Sequence, residues 1–466
     1  MTTPFRPGRR AILAGALALL LPGCLPEAET PATGIAVPPR FTEGPANPDA
    51  SLPQPDWWRG FRAPDLTRFV ELASTYNLDI AVAVAQIIQA DAQVGISGAP
   101  LYPTLTFDGT AEQVRTAGSN GSPGTTRGLN VLGLSAGYMV DFWGQYRNGL
   151  YAAQESAAAA RFNRDVVALS TQVAVANTYF QILASRDQLN IARQNLEAAT
   201  RILDLVKRQF AGGTVSQLDV SQQEALVAQV RASIPPIEIT LRQNVAALAV
   251  LVAQTPETLS APRGGLAQIA VPRVTPGLPS DLLLRRPDVA LAQAQLQSSG
   301  FSVAAAQAAM LPQIQLTATG GVQSAALKAL FQPGAWYYTL VAGLTQPIFD
   351  GYLLESQLVQ AKGLQLQYLQ SYRKAILSAF ADVEKALVAL DQTNRQVKLQ
   401  GDVVSSSRTA FQVAESQLAG GTTTLVAVLQ AQQTFFTAEV GLVQVRLQRV
   451  QAATSLFQAL GGGWGS

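Results

Sequence analysis

Three separated markers recur along this chain at almost one offset. Ala-Gly-Gly-Thr occurs in "RQFAGGTVSQLDVSQQEAL" and again in "SQLAGGTTTLVAVLQAQQTF", which places Gly213 and Gly421 208 residues apart. Asp79 to Pro103 and Asp288 to Pro312 each span 24 residues, at an offset of 209. Phe142 and Gly144 of "DFWGQY" match Phe349 and Gly351 of "IFDGYL" at an offset of 207. Offsets this constant mean two copies of one unit, so whatever the chain folds into is built twice from the same parts.

Within each copy the pattern reads helix, strand, loop, strand, very long helix, tight tip, helix. Residues 150–211 contain neither Gly nor Pro, a run far beyond an ordinary globular helix. In it Leu169, Val173, Ala176, Phe180 and Leu183 repeat with 4-3-4-3 spacing, and Ile376, Phe380, Val383, Leu387 and Leu390 repeat that seam 207 residues on. This is a narrow coiled-coil stripe. A helix from about 145 to 211 would be roughly 100 Å long at ~1.5 Å per residue. It has no globular core of its own, so its partners must be other long helices. Pro235 and Pro236 are expected to interrupt the helix that follows the first tip.

The strands alternate. Leu105, Phe107 and Ala111 lie between Thr104, Thr106, Asp108, Thr110 and Glu112. Leu132, Leu134, Ala136, Tyr138, Val140 and Phe142 alternate with Gly133, Ser135, Gly137 and Asp141. The second copy offers Ile314, Leu316 and Ala318, then Trp336, Tyr338, Leu340, Ala342 and Leu344. The runs suit tilted transmembrane strands of ~9–11 residues. A soluble hairpin packed on one face would alternate in the same way. Two copies supply four strands, too few to enclose a lumen, and no strand edge stays unpaired in lipid. A transmembrane reading therefore requires an oligomer.

The N-terminus reads as an export signal over residues 1–23. "RPGRR" is its basic region and "AILAGALALLLPG" its apolar core, too short to span a bilayer as a helix. It ends at Cys24, the one cysteine in the chain, within "LPGC", which resembles the lipobox of bacterial lipoproteins. Cys24 is thus the expected lipidation site, and Leu25 after it, in place of Asp, directs such a protein to the outer membrane. Residues 24–54 read as a lipidated, Pro-rich tether.

Net charge is +2; removing Arg6, Arg9 and Arg10 with the signal leaves 2 − 3 = −1. No basic block survives, which argues against a nucleic-acid partner. The chain has no histidine, so the commonest general base and metal ligand is missing. No phosphate loop appears. The expectation is a protein that is not an enzyme and uses no cofactor or metal. "RRPD" at 285–288 is read as a helix start, with Asp288 in the first turn after Pro287.

"PDWWRGFRAPDLTRFVELASTYNLDIAVAVAQ" (55–86), "PGLPSDLLLRRPDVALAQAQ" (276–295), "LTQPIFDGY" (344–352) and the two tips together resemble the TolC-type outer-membrane efflux channels, lipoprotein branch. The resemblance runs from about Pro55 to the end, and Leu278 to Asp288 is its most specific part. It implies an α+β membrane protein: a homotrimer with a 12-stranded β-barrel in outer-membrane lipid and a periplasmic α-helical tunnel. The repeats would span 55–256 and 283–466, joined by a Pro-rich linker at 257–282. The tip turns Gly212, Gly213, Thr214, Gly420, Gly421 and Thr422 would meet a periplasmic adaptor and an inner-membrane resistance-nodulation-division pump. Acids shortly after the tip glycine ring the aperture in this family. Asp219 is the candidate here, while the second copy has Ala427 and, three residues on, Gln430. The implied function is a passive exit duct for small molecules such as drugs. A type I protein-secretion duct and a non-porous coiled-coil scaffold remain open at this point.

Overall fold

A computed structural model describes residues 27–42, 54–118, 123–272 and 279–464. The export signal and Cys24 lie outside the described residues. The first copy gives helices α1 (Pro64–Tyr76) and α2 (Leu78–Gly98), strands β1 (Thr104–Thr116) and β2 (Thr125–Val140), then α3 (Gln145–Ala211) and α4 (Gln217–Leu251). The second gives the short α5 (Pro279–Leu283), α6 (Pro287–Ala308), β3 (Gln313–Ser324), β4 (Trp336–Thr345), α7 (Leu353–Ala419) and α8 (Leu425–Ala459). The copies match in length: α3 and α7 have 67 residues each, α4 and α8 have 35 each.

Two compact units arise, and each draws on both copies. One holds the strands, with Gln86–Ala160 and Leu291–Arg373. Its sheet is antiparallel throughout, in the order β1-β2-β3-β4. The other holds Ile35–Ala85, Arg161–Ala290 and Lys374–Ser466. Its largest core gathers Trp57, Trp58 and Phe61 with Phe69 of α1, Phe180 of α3 and Phe457 of α8. The Trp57 ring stacks on Phe457 at 5.1 Å, and Phe61 lies 5.1 Å from Phe180. The heptad seam falls where its spacing put it. Val173, Ala176, Phe180 and Leu183 are buried, as are Ile376, Val383 and Leu387, while Leu169, Phe380 and Leu390 are half-buried.

One expectation is overturned. Pro235 and Pro236 do not interrupt α4, which runs unbroken from Gln217 to Leu251. A helical proline withholds its N–H from the carbonyl four residues back, here those of Arg231 and Ala232. Both residues are exposed, where solvent can satisfy a carbonyl the helix leaves unpaired. Either side of the pair, packing holds the helix: Val227 and Val230 are buried before it, Leu248 and Ala249 after it. Arg193 on α3 adds an ion pair to Glu238 at 3.2 Å.

Residues 27–42 of the tether form no helix or strand. In the strand unit the carbonyls of Glu29 and Thr33 accept from Gln365 Nε2 and Arg373 Nε on α7, both at 2.7 Å. In the other unit the Thr42 N–H donates to the Glu384 carboxylate at 2.5 Å and Phe41 is buried. Of the linker, residues 257–272 and 279–282 are described, the latter within α5. Arg186 of α3 donates to the Pro262 carbonyl, and the Leu266 N–H donates to Asp187 Oδ2 at 2.9 Å. Burial pushes the Asp187 carboxyl up, against the Leu266 N–H and the charges of Arg446 and Arg186, which pull it down.

Candidate functional site: sheet faces and hairpin tips

Residues paired across an antiparallel ladder share a face, so the register assigns both faces of the sheet. Leu105 pairs with Ala136, Ala136 with Ala318, and Ala318 with Leu340. The row beside it joins Phe107, Leu134, Gly320 and Tyr338. The alternating apolar residues of all four strands thus form one continuous surface. Much of it is open: Leu105 is 68% exposed, Phe107 71%, Trp336 67% and Leu340 73%. On β2 the apolar run from Leu132 to Val140 reaches roughly 26 Å at ~3.3 Å per residue, comparable to the ~25 Å lipid-facing band of outer-membrane barrels. The opposite face carries rows such as Thr106–Ser135–Thr319–Thr339 and Asp108–Gly133–Gly321–Tyr337. A face of Thr, Ser, Gly and Asp suits water.

Each strand pair hands the chain to a long helix through a carboxylate that sequence reasoning had not singled out. Asp141 accepts from the N–H groups of Tyr146 and Arg147 at 3.0 and 2.8 Å. Asp350 accepts from those of Leu353 and Leu354 at 3.2 and 2.9 Å. Each carboxylate satisfies two of the donors that a helix start leaves unpaired.

The tips are two builds of one Schellman turn. In the first, the Gly213 N–H bonds the Phe210 carbonyl at 2.9 Å and the Thr214 N–H bonds Gln209 at 3.0 Å. In the second, Gly421 bonds Leu418 at 3.1 Å and Thr422 bonds Gln417 at 2.9 Å. Gly213 and Gly421 sit at φ +76 and +69°, with open space where a Cβ would go. The backbone angle alone therefore calls for glycine, at ~1–2 kcal/mol for any other residue. The preceding Gly212 and Gly420 bond back to Arg208 and Ser416, both at 3.1 Å. The threonine hydroxyls of Thr214 and Thr422 double the bonds to Gln209 and Gln417 at 2.9 and 3.2 Å.

The tips differ where the next helix begins. Ser216 caps α4 and Asp219 completes a reciprocal box, its Oδ2 accepting from the Ser216 N–H and hydroxyl at 2.8 and 2.7 Å. The Ser216 hydroxyl, then its N–H, hold the Asp219 carboxyl below the usual range. The Asp219 side chain is half-buried. Thr424 caps α8 alone, with Ala427 at the matching position.

The helix start at Pro287 is as expected, with Asp288 in the first turn of α6. An Arg–Asp pair is nevertheless formed there. Arg286 Nε and NH2 bind both Asp288 oxygens at 2.9 and 2.7 Å. The same guanidinium reaches Asp382 Oδ2 on α7 at 3.4 Å and the Ala459 carbonyl that ends α8 at 3.3 Å. It is a structural clamp among three helices.

The outer membrane efflux protein family model matches the chain twice, over residues 70–254 and 278–462. The chain belongs to this family. Its curated relatives include the pyoverdine export outer membrane protein OpmQ of Pseudomonas aeruginosa, 37% identical over 458 residues, 96% of each chain. OpmQ of Pseudomonas putida is 36% identical over 442 residues, 93% of each chain. Among solved structures, the outer-membrane channel OprN superposes with a TM-score of 0.88 at 24% identity, covering 94% of this chain and 99% of its own. The fold is thus the TolC-like one the sequence resemblance implied. This efflux protein is an outer-membrane channel component of an efflux system.

Proposed function

We propose that three copies of the chain close one barrel of three times four strands. The resulting channel is a passive exit duct for small molecules, fed by a periplasmic adaptor and an inner-membrane resistance-nodulation-division pump. The sheet carries this reading. It has one unbroken apolar face, and its outer strands β1 and β4 each lack a second neighbour. Edges do not stay open in lipid, and four strands enclose no lumen; three copies resolve both. Exposed apolar residues on the long helices fit the same assembly, among them Ile88 and Ile96 on α2 and Leu366 and Leu399 on α7. Similarity to OpmQ favours a pyoverdine-like small molecule as cargo over a secreted protein. Purified protein should be trimeric in mild detergent and give discrete conductance steps in planar bilayers. A monomer that leaves bilayers silent would fit a non-porous scaffold and end this reading.

In such a trimer Asp219 supplies three carboxylates near the inner aperture, where the second copy offers only the neutral, exposed Gln430. Fewer acids focus cations less. Asp219→Asn should lower cation selectivity, and Gln430→Asp should raise it, read as reversal potential under a salt gradient. If neither substitution moves it, the aperture lies elsewhere and Asp219 only caps its helix.

The lone Cys24, placed after an apolar export core, is the anchor in this reading, carrying diacylglycerol and an acyl chain. Mass spectrometry of the mature N-terminus should find both; an unmodified Cys24 in native envelopes excludes the anchor.

A further inference from the structure

The segment joining β3 to β4, residues 325–335, carries side chains that neither the channel nor its tips account for. Leu327 is 69% exposed and Phe331 79%, four residues apart, while Leu330 between them is 2% exposed and Ala335 6%. The segment is therefore anchored by one side and presents two large apolar groups on the other.

Its course relative to the sheet decides what those groups meet. The Ala325 carbonyl lies 2.8 Å from where a Cβ on Gly128 would stand. Asn130 Nδ2 donates to the carbonyls of Ser324 and Ala325 at 3.3 and 3.5 Å. Gly128 and Asn130 alternate in step with Leu132 and Leu134 on β2, so their substituents project from the apolar face. The segment accordingly folds outward over the lipid-facing side of the sheet, not across the polar face that borders the pore. It also continues that side. Trp336, paired with Val322, closes the apolar band on β4 directly after the segment ends. Just beyond the band, on the same face of β1, stands Arg115, opposite Thr126. Lys328 lies beside Leu327, and both cations are exposed.

We propose that residues 325–335 form an interfacial foot resting in the outer leaflet. Leu327 and Phe331 enter the boundary between headgroups and acyl chains, and Lys328 and Arg115 face phosphate-bearing headgroups. Apolar groups flanked by cations at the rim of a lipid-facing band match the chemistry of that layer. The inference rests on the lipid-facing reading of the sheet, and its test separates the two.

Full-length variants Leu327→Cys, Phe331→Cys, Leu340→Cys and Ala117→Cys would be labelled with a small fluorophore and reconstituted into vesicles. The parent with Cys24 sets the labelling background. Labels at 327 and 331 should be quenched by shallow spin-labelled lipid at least ~3-fold more than the label at 117, and shielded from iodide to a similar degree. A lipid-quenched label at 340 combined with iodide-quenched labels at 327 and 331 overturns the foot alone. Loss of lipid quenching at 340 as well overturns the lipid-facing sheet and the foot together. Adding Lys328→Glu should raise access of the neutral quencher acrylamide to the label at 331 about twofold in vesicles containing phosphorylated lipid A, and leave it unchanged in zwitterionic vesicles. No change in either vesicle overturns the headgroup contact.

Discussion

Arginine in place of Leu340 should cost about 2–4 kcal/mol per chain and deplete the assembled channel, because it sets a charge on the lipid side near mid-bilayer. Arginine at Thr339, one residue away, should cost well under half as much. The contrast follows from register. Leu340 lies in the row with Ala318, Ala136 and Leu105, whereas Thr339 lies in the row with Thr319, Ser135 and Thr106. Leu134 and Ser135 provide the same test on β2, a central strand, so edge effects are controlled. The readout is the fraction of folded trimer recovered in detergent and its urea midpoint in lipid. Equal tolerance on both faces would contradict the face assignment and, with it, the barrel.

Those faces were legible in the sequence because burial in lipid imposes period two directly on residue chemistry. Where that pressure ends, the sequence signal ends too. β1 continues to Thr116 and β2 begins at Thr125, well outside the alternating runs. Gln113 and Arg115 there are held by backbone pairing without a hydrophobic face to mark them. The long helices and tips were readable for a similar reason: a Gly-free heptad run and a Gly-Gly-Thr stop are local signals. Pro235–Pro236 misled because a local rule was overridden by packing on either side and by solvent around the bare carbonyls. The outward fold of residues 325–335 had no local signature, since it depends on Asn130 of another strand. Asp219 lies in the first turn of a helix; its place relative to a pore depends on copies of the chain beyond its own contacts.

Arg286 shows how a motif can be recognised while its partners stay hidden. "RRPD" marks a helix start, but Asp382 lies 96 residues away and Ala459 173 away. The side chain is 10% exposed, whereas its acidic partners are 36% and 46% exposed. Burial pulls the guanidinium pKa down, but the hydrogen bonds and charge of Asp288, with Asp382 behind them, outweigh it and hold it above the usual value. Arg286→Met keeps most of the volume and removes the charge. It leaves two carboxylates facing each other across the vacated space and the final carbonyl of α8 without its donor. Removing one member of a buried pair costs ~3–5 kcal/mol. The partly solvated carboxylates can recover some of that, so about 2–4 kcal/mol is expected. Arg286→Lys retains a charge but not the planar fork that spans both Asp288 oxygens, and should fall about halfway between. Asp382→Asn should cost less than either, since Asp288 still holds the guanidinium. Thermal and urea unfolding of the purified protein, with the Arg286→Met/Asp382→Asn double variant completing the cycle, would rank these. If Arg286→Met proves as stable as the parent, the three helices are held by the apolar core around Phe180 and Phe457, and the guanidinium is merely accommodated there.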